Sequence, residues 1–210
     1  MNTSETPSLE VPAVAPVMVL PHTSLFPDSL MPLFIFEERY REMLAWALEN
    51  ERMFCLAMLR QGRDDWTSPD DFHHVAGLGL VRASVAREDG TSHVILQGLV
   101  RVKFTGFVQT GPFVIAKLRE LPVTSAPPAD ARALTEIVMK LCAQLREGGV
   151  EIPDDLQKQI ASAPDPGTLS DLVAHTLLRD PYRRQSVLEA ADISTRLRTL
   201  IGHLRDELSS

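Results

Sequence analysis

Asp70, Asp71, His73 and His74 crowd four potential metal ligands or proton carriers into one short stretch. Adjacent histidines in an extended segment point to opposite faces, so a single metal site does not readily use both. The expectation is a solvated loop without metal. Two acid pairs, Glu37-Glu38 and Asp154-Asp155, carry the carboxylates that a general acid and base would need. Both stand where a helical pattern begins, and acids there answer the positive end of the helix dipole. Gly77 and Gly79 open a G-x-G, but Arg82 occupies the place of the third glycine of a dinucleotide fingerprint. No glycine precedes a lysine, which excludes a Walker A loop, and neither G-x-S-x-G nor H-E-x-x-H occurs. A Ser-His-Asp triad assembled from distant residues would leave no spacing to read. The sequence therefore offers no catalytic residue, no metal ligand and no cofactor site.

Charge narrows the partners. Lys and Arg number 21 against 28 Asp and Glu, a formal charge of -7. That balance gives no electrostatic footprint for nucleic acid or an anionic membrane. Six arginines near the C-terminus (Arg179, Arg183, Arg184, Arg196, Arg198 and Arg205) face six acids (Asp171, Asp180, Glu189, Asp192, Asp206 and Glu207). A solvated face is the expectation there. Cys55 and Cys142 lie far apart in apolar surroundings and read as buried free thiols in a reducing cytosol. Residues 1–16 lack a basic n-region and are broken by Pro12 and Pro16, so they read as a flexible tail. No apolar run approaches the ~18 residues of a membrane span. A cytoplasmic protein is expected.

The scaffold changes character near Leu121. Residues 17–122 read as β-rich. The run 17–20, the run 33–36 and the run 54–59 are strand candidates separated by a helix over 37–48, whose Tyr40, Met43, Leu44, Ala47 and Leu48 make one apolar stripe. Residues 60–74 form a long polar loop, of a length often tied to function. Strands over 78–85, 93–108 and 113–121 follow, with turns at Asp89-Gly90 and Thr110-Gly111-Pro112, so an antiparallel meander is expected. Gly98 and Gly106 in its long middle strand suggest bulges or corners of a curved sheet. Residues 123–210 read as a helical bundle after a linker punctuated by Pro127 and Pro128. Helices are expected over 130–146 and 154–162, and then behind Thr168 and Asp171 as a capping box, behind Asp180-Pro181, and behind Asp192.

A specific likeness lies near the N-terminus. The segment Val19-Leu20-Pro21-His22-Thr23-Ser24-Leu25-Phe26-Pro27-Asp28-Ser29-Leu30-Met31-Pro32-Leu33-Phe34-Ile35-Phe36-Glu37-Glu38-Arg39-Tyr40 resembles the opening of the N-terminal substrate-binding domain of Lon proteases. That family shows a Leu-Pro pair, a Phe-Pro turn, a Pro-Leu strand, then Ile-Phe-Glu and Arg-Tyr entering a helix. Leu96-Gln97-Gly98-Leu99-Val100-Arg101 is similar to its strand with a glycine three residues before an arginine, and Gln185, Leu188, Glu189, Asp192, Arg196 and Leu197 resemble its late helices. His22, Asp28 and Glu38 depart from the common Leu, Gly and Pro.

The resemblance implies an α+β fold, a PUA-like β pseudo-barrel with one helix followed by a helical bundle, in a stand-alone form without ATPase or peptidase domains. It also implies a non-catalytic module for unfolded, degradation-marked or client polypeptides, or an adaptor, with a protease or ATPase as a further partner. An RNA-binding PUA-like protein and an unrecognised hydrolase are the alternatives. Binding would rest on exposed apolar side chains over the sheet or at its junction with the bundle. The candidates are Phe26 and Met31 in the proline-rich turn and Trp66 and Phe72 in the long acidic loop. Core packing is the competing use of all four, and the favoured one at Phe26 and Met31. Glu37, Arg39 and Tyr40 are expected to join helix to barrel, serving stability before binding.

Overall fold

The computed structural model describes residues 10–209. Six strands, β1 (Val14–Leu20), β2 (Leu30–Ile35), β3 (Met53–Met58), β4 (Val75–Ala86), β5 (Ser92–Thr110) and β6 (Val114–Glu120), form one sheet in the order β2-β5-β4-β3-β1-β6. A second pairing of β5 with β6 closes five of these strands into a barrel and leaves β2 outside it. β1 and β3 run parallel, and the other pairs are antiparallel. The helix α1 (Glu38–Glu49) makes the crossover between β2 and β3, and five helices follow the barrel: α2 (Pro128–Glu147), α3 (Asp154–Ala161), α4 (Pro166–Leu177), α5 (Pro181–Glu189) and α6 (Ile193–Leu208).

Alternation explains why β1 and β3 are apolar on both faces. Ala15, Val17 and Val19 pack with Cys55 and Ala57 in one cluster, while Met18, Phe54 and Leu56 pack in another with Tyr40, Met43 and Leu44 of α1. Strands covered on both sides read as continuous apolar runs. Burial pushes both thiols up, Cys142 to about 11, so neither is a ready nucleophile. β1 begins at Val14, inside the stretch expected as tail; residues 1–9 of that expectation lie outside the described residues. Pro16 is tolerated because pairing with β3 starts only at Val17, and the bond from Leu118 N–H to Ala13 O sets a ladder in which the Pro16 nitrogen faces away from β6.

Both glycines of β5 sit at irregularities. The register with β4 skips Leu99 beside Gly98, and the register with β6 skips Thr105 beside Gly106. The extra residues bend a 19-residue strand so that one half serves β2 and the other β6.

The long loop is ordered by one carboxylate. Asp71 accepts the Thr67 and Ser68 backbone N–H groups, both at 2.9 Å, and the Arg63 guanidinium lies 3.1 Å away. The Thr67 and Ser68 amides hold the Asp71 pKa down to about 2. A depressed folded-state pKa contributes stability above the ordinary carboxylate range, lost as protons return to the group. In a Trp46→Phe background, Trp66 fluorescence is expected to shift as pH falls from about 4 to about 2, and Asp71→Asn to remove that transition. Flat emission across this range would show that Asp71 does not hold the loop.

Candidate functional site

The bundle docks on the barrel through a buried ionic knot. Arg101 of β5 grips Asp171 of α4 with both terminal guanidinium nitrogens and donates through Nε to Leu188 O at 3.0 Å. Arg196 of α6 stands 3.5 Å from the same carboxylate and donates to Ala190 O at 2.8 Å. All three side chains are buried. Burial, followed by repulsion from Arg101, pushes Arg196 down to about 10, with Asp171 opposing the shift. Around the knot, Ser24 Oγ donates to Gln185 Oε1 at 2.9 Å, Gln185 Nε2 donates to Val75 O at 2.9 Å, and His73 Nδ1 lies 2.7 Å from Glu189.

Three expectations are corrected here. Arg196 and Asp171 are interior residues rather than parts of a solvated face. Thr168 and Asp171 do not form a capping box: Asp165 caps α4, accepting from Gly167 and Thr168 N–H, because Pro166 can open the helix without a donor of its own. The earlier start frees Asp171 to turn into the junction. His73 and His74 are partly buried and bonded, His73 to Glu189 and His74 to Pro69 O.

Beside the knot, a groove of about 530 Å³ runs between the loop at Pro27–Leu30 and helices α3 and α4, with Leu156, Leu172, His175 and Thr176 on the helical side. Leu30 belongs both to this groove and to β2, whose outward face is Leu30, Pro32 and Phe34. The face continues across paired strands to Ile95 and Val85. Phe34 stacks on Phe36 at 5.8 Å and lies 4.9 Å from the His93 ring. Leu30, Phe34, Phe36 and Val85 are 61%, 45%, 58% and 63% exposed, so this apolar surface lies in water. A run of neighbouring exposed apolar side chains marks an interaction surface where a single one does not.

Of the four residues singled out in the sequence, Phe26 lines this groove, and Met31, Trp66 and Phe72 lie away from it. Phe26 is buried in the bundle core, its ring 6.1 Å from His175. Trp66 and Phe72 are buried against the barrel, edge to face at 6.4 Å, and Trp66 Nε1–H donates to Tyr40 Oη at 3.3 Å. Met31 is half-buried on the inner face of β2. The long loop folds Trp66 and Phe72 inward, so neither ring is presented at the surface. What sequence reading missed is the alternation within the apolar run Leu30-Met31-Pro32-Leu33-Phe34-Ile35. Proline within it marks an edge strand, and in the structure burial alternates along it, with Met31, Leu33 and Ile35 turned inward and Leu30, Pro32 and Phe34 exposed. Tyr40 joins helix to barrel, its Oη donating to Val19 O at 2.6 Å, whereas Arg39 pairs with Glu37 at the start of its own helix and with Asp65 of the long loop.

Ser186 and His203 come within 2.8 Å between α5 and α6. Ser186 sits inside a helix, and its hydroxyl lies 2.8 Å from Arg183 O as well as from the histidine, so the two compete for its single hydrogen. Neighbouring backbone N–H groups are engaged in the helix, which leaves no oxyanion hole. The pair is a bridge between helices.

The sequence pattern of the ATP-dependent protease La (LON) substrate-binding domain matches residues 14–206. The chain belongs to that family. It is 24% identical over 200 residues to a Lon protease of Desulfosudis oleivorans and 29% identical over 195 residues to one of Koribacter versatilis, covering 95% and 92% of this chain. It spans about a quarter of the length of those relatives, 24% in each case. The N-terminal domain of a Mycobacterium avium complex Lon protease superposes with a TM-score of 0.72 at 19% identity, over 92% of this chain and 98% of that one. A Lon N-terminal domain protein from Xanthomonas campestris gives 0.63 at 16% identity, over 90% and 97%. These likenesses show the fold. The region matched is the substrate-binding domain of Lon and not its catalytic one.

Proposed function

We propose that the chain is a non-catalytic module that holds unfolded or degradation-marked polypeptide for a protease or ATPase partner. The observation that carries this reading is the continuous apolar track from the groove at Leu30 over Phe34 to Ile95 and Val85, exposed on a chain whose family is a substrate-binding domain. An unfolded chain offers what such a track lacks: apolar side chains that are equally costly to leave in water. The net charge of -7 gives no general attraction for nucleic acid, which argues against the RNA-binding reading.

The test is affinity for reduced, carboxymethylated α-lactalbumin. Phe34→Ser combined with Val85→Ser is expected to weaken binding at least about tenfold, since each side chain is worth roughly 1.5 kcal/mol when covered. The thermal midpoint is expected to stay near that of the parent protein, because both side chains are exposed in the free protein. Binding is also expected to survive added salt. Unchanged affinity in the double variant would place the binding surface elsewhere.

A further inference from the structure

We propose that the open edge of β2 takes an extended segment of a substrate polypeptide as an added antiparallel strand. The inference rests on the polypeptide-binding reading above and specifies its geometry. β2 is the last strand in the sheet order, bonded to β5 on one side only. Gly98 N–H donates to Ser29 O at 2.9 Å, and this bond sets the alternation of the antiparallel ladder. Met31, Leu33 and Ile35 then turn their backbone groups toward β5, while Leu30, Pro32 and Phe34 turn theirs outward. That leaves three carbonyls and two amide N–H groups in a row, with no protein partner among the described residues. Such a row is a template for another strand. The side chains of these same three residues stand on the exposed apolar face. In an added antiparallel strand, the residues bonded to β2 would lay their own side chains on that face too, beside Leu30 and Phe34.

Pro32 decides between a substrate and a second copy of this chain. Two copies pairing about a two-fold axis at the middle of β2 would set Pro32 opposite Pro32. Neither donates, so both carbonyls would lose their partners. A foreign segment sets a donating residue there and keeps the Pro32 carbonyl bonded. Size points the same way. A six-residue strand is roughly 20 Å long and 10 Å wide, so edge pairing buries roughly 400 Å² over both partners, against the ~1,200 Å² of a stable pair. An edge of this extent suits transient capture of an extended chain and not a permanent dimer.

The probe is a capped, fluorescein-labelled hexapeptide of alternating Val and Thr, with two derivatives, one N-methylated at every Val and the other at every Thr. Valine on the apolar face places the Val N–H groups against β2. Methylation at Val is therefore expected to weaken binding at least about tenfold, and methylation at Thr to leave it near the parent value. Hydrogen exchange at the Leu30 and Phe34 amides is expected to slow on binding of the parent peptide. If the two derivatives bind alike, or if those amides exchange unchanged, strand addition is overturned. If the hexapeptide fails to bind while carboxymethylated α-lactalbumin still binds in a Phe34-dependent manner, strand addition falls and the polypeptide-binding reading stands. If neither ligand binds, both fall.

Discussion

Asp171→Ala is expected to cost about 3–5 kcal/mol, the range for a buried ion pair broken from one side. Asp171 is the carboxylate between Arg101 and Arg196, and its removal leaves two buried guanidiniums facing each other at the seam of barrel and bundle. Arg101 retains its bond to Leu188 O and Arg196 its bond to Ala190 O, but neither carbonyl carries a countercharge. Repulsion between the two cations already contributes to lowering Arg196 with the carboxylate in place. For a chain of this length, such a loss lowers the thermal midpoint by about 10 °C. Calorimetry on the single variant measures it. The triple variant Arg101→Met, Asp171→Leu, Arg196→Met separates two meanings of the result. If the knot matters chiefly because half of it is intolerable, the triple variant recovers most of the stability. A single-variant loss under about 1 kcal/mol would instead show that Asp165, which also acts on Arg196, takes over the vacated role.

The same residues show where sequence reading stops. Local signals were legible. The stripe of α1 predicts Tyr40, Met43, Leu44, Ala47 and Leu48 as its packed face; the first four are its buried residues, and Leu48, near the end of the helix, is half-buried against the same cluster. The turns and bulges of the meander follow from Asp89-Gly90, Gly98 and Gly106. The order of a β-rich part and a helical bundle was legible in the change of periodicity near Leu121, while the closed barrel came with the family resemblance. Pairings across long sequence distance were not legible. Asp171 is 70 residues from Arg101, and nothing near either residue says that they meet. Counting Arg196 against nearby acids treated it as a surface charge, because charge counting carries no information about burial. The aromatic rings failed for the opposite reason. Trp66 and Phe72 stand in a polar loop, but polar residues such as Asp71 bond the loop to itself and let the rings turn inward. The exposed track was not found because an apolar run looks the same whether one face or both are covered. Only the packing around β2, with Met31, Leu33 and Ile35 turned to the core and Leu30, Pro32 and Phe34 in water, distinguishes the two.

Gly98 and Gly106 carry the other large prediction, because two glycines of one strand that look alike in sequence are expected to respond to alanine very differently. A Cβ on Gly98 would lie 1.9 Å from Phe26 O, and one on Gly77 of the neighbouring strand 2.1 Å from Leu25 O. The loop at 25–29 lies directly on these two strands and is tied there by Asp28 N–H to Gly98 O and Gly98 N–H to Ser29 O, each 2.9 Å. Backbone cannot yield to a methyl group as a side-chain tip can, so the loop must lift. Lifting breaks those bonds, at about 1 kcal/mol each. It also withdraws Phe26, which reaches from this loop into the bundle core, where loss of a buried phenylalanine costs about 3–5 kcal/mol. Gly98→Ala is therefore expected to lose at least about 3 kcal/mol in urea unfolding, even if Phe26 is withdrawn only in part. At Gly106 an added Cβ meets only the Lys117 Cδ, at 3.7 Å, so Gly106→Ala is expected to stay within about 1 kcal/mol of the parent. Phe26→Ala supplies the mechanism test. With the ring already gone, lifting the loop has less to lose, so Gly98→Ala is expected to cost distinctly less in that background than alone. Equal losses at Gly98 and Gly106, or strict additivity with Phe26→Ala, would show that close approach of this loop is not what the glycine serves.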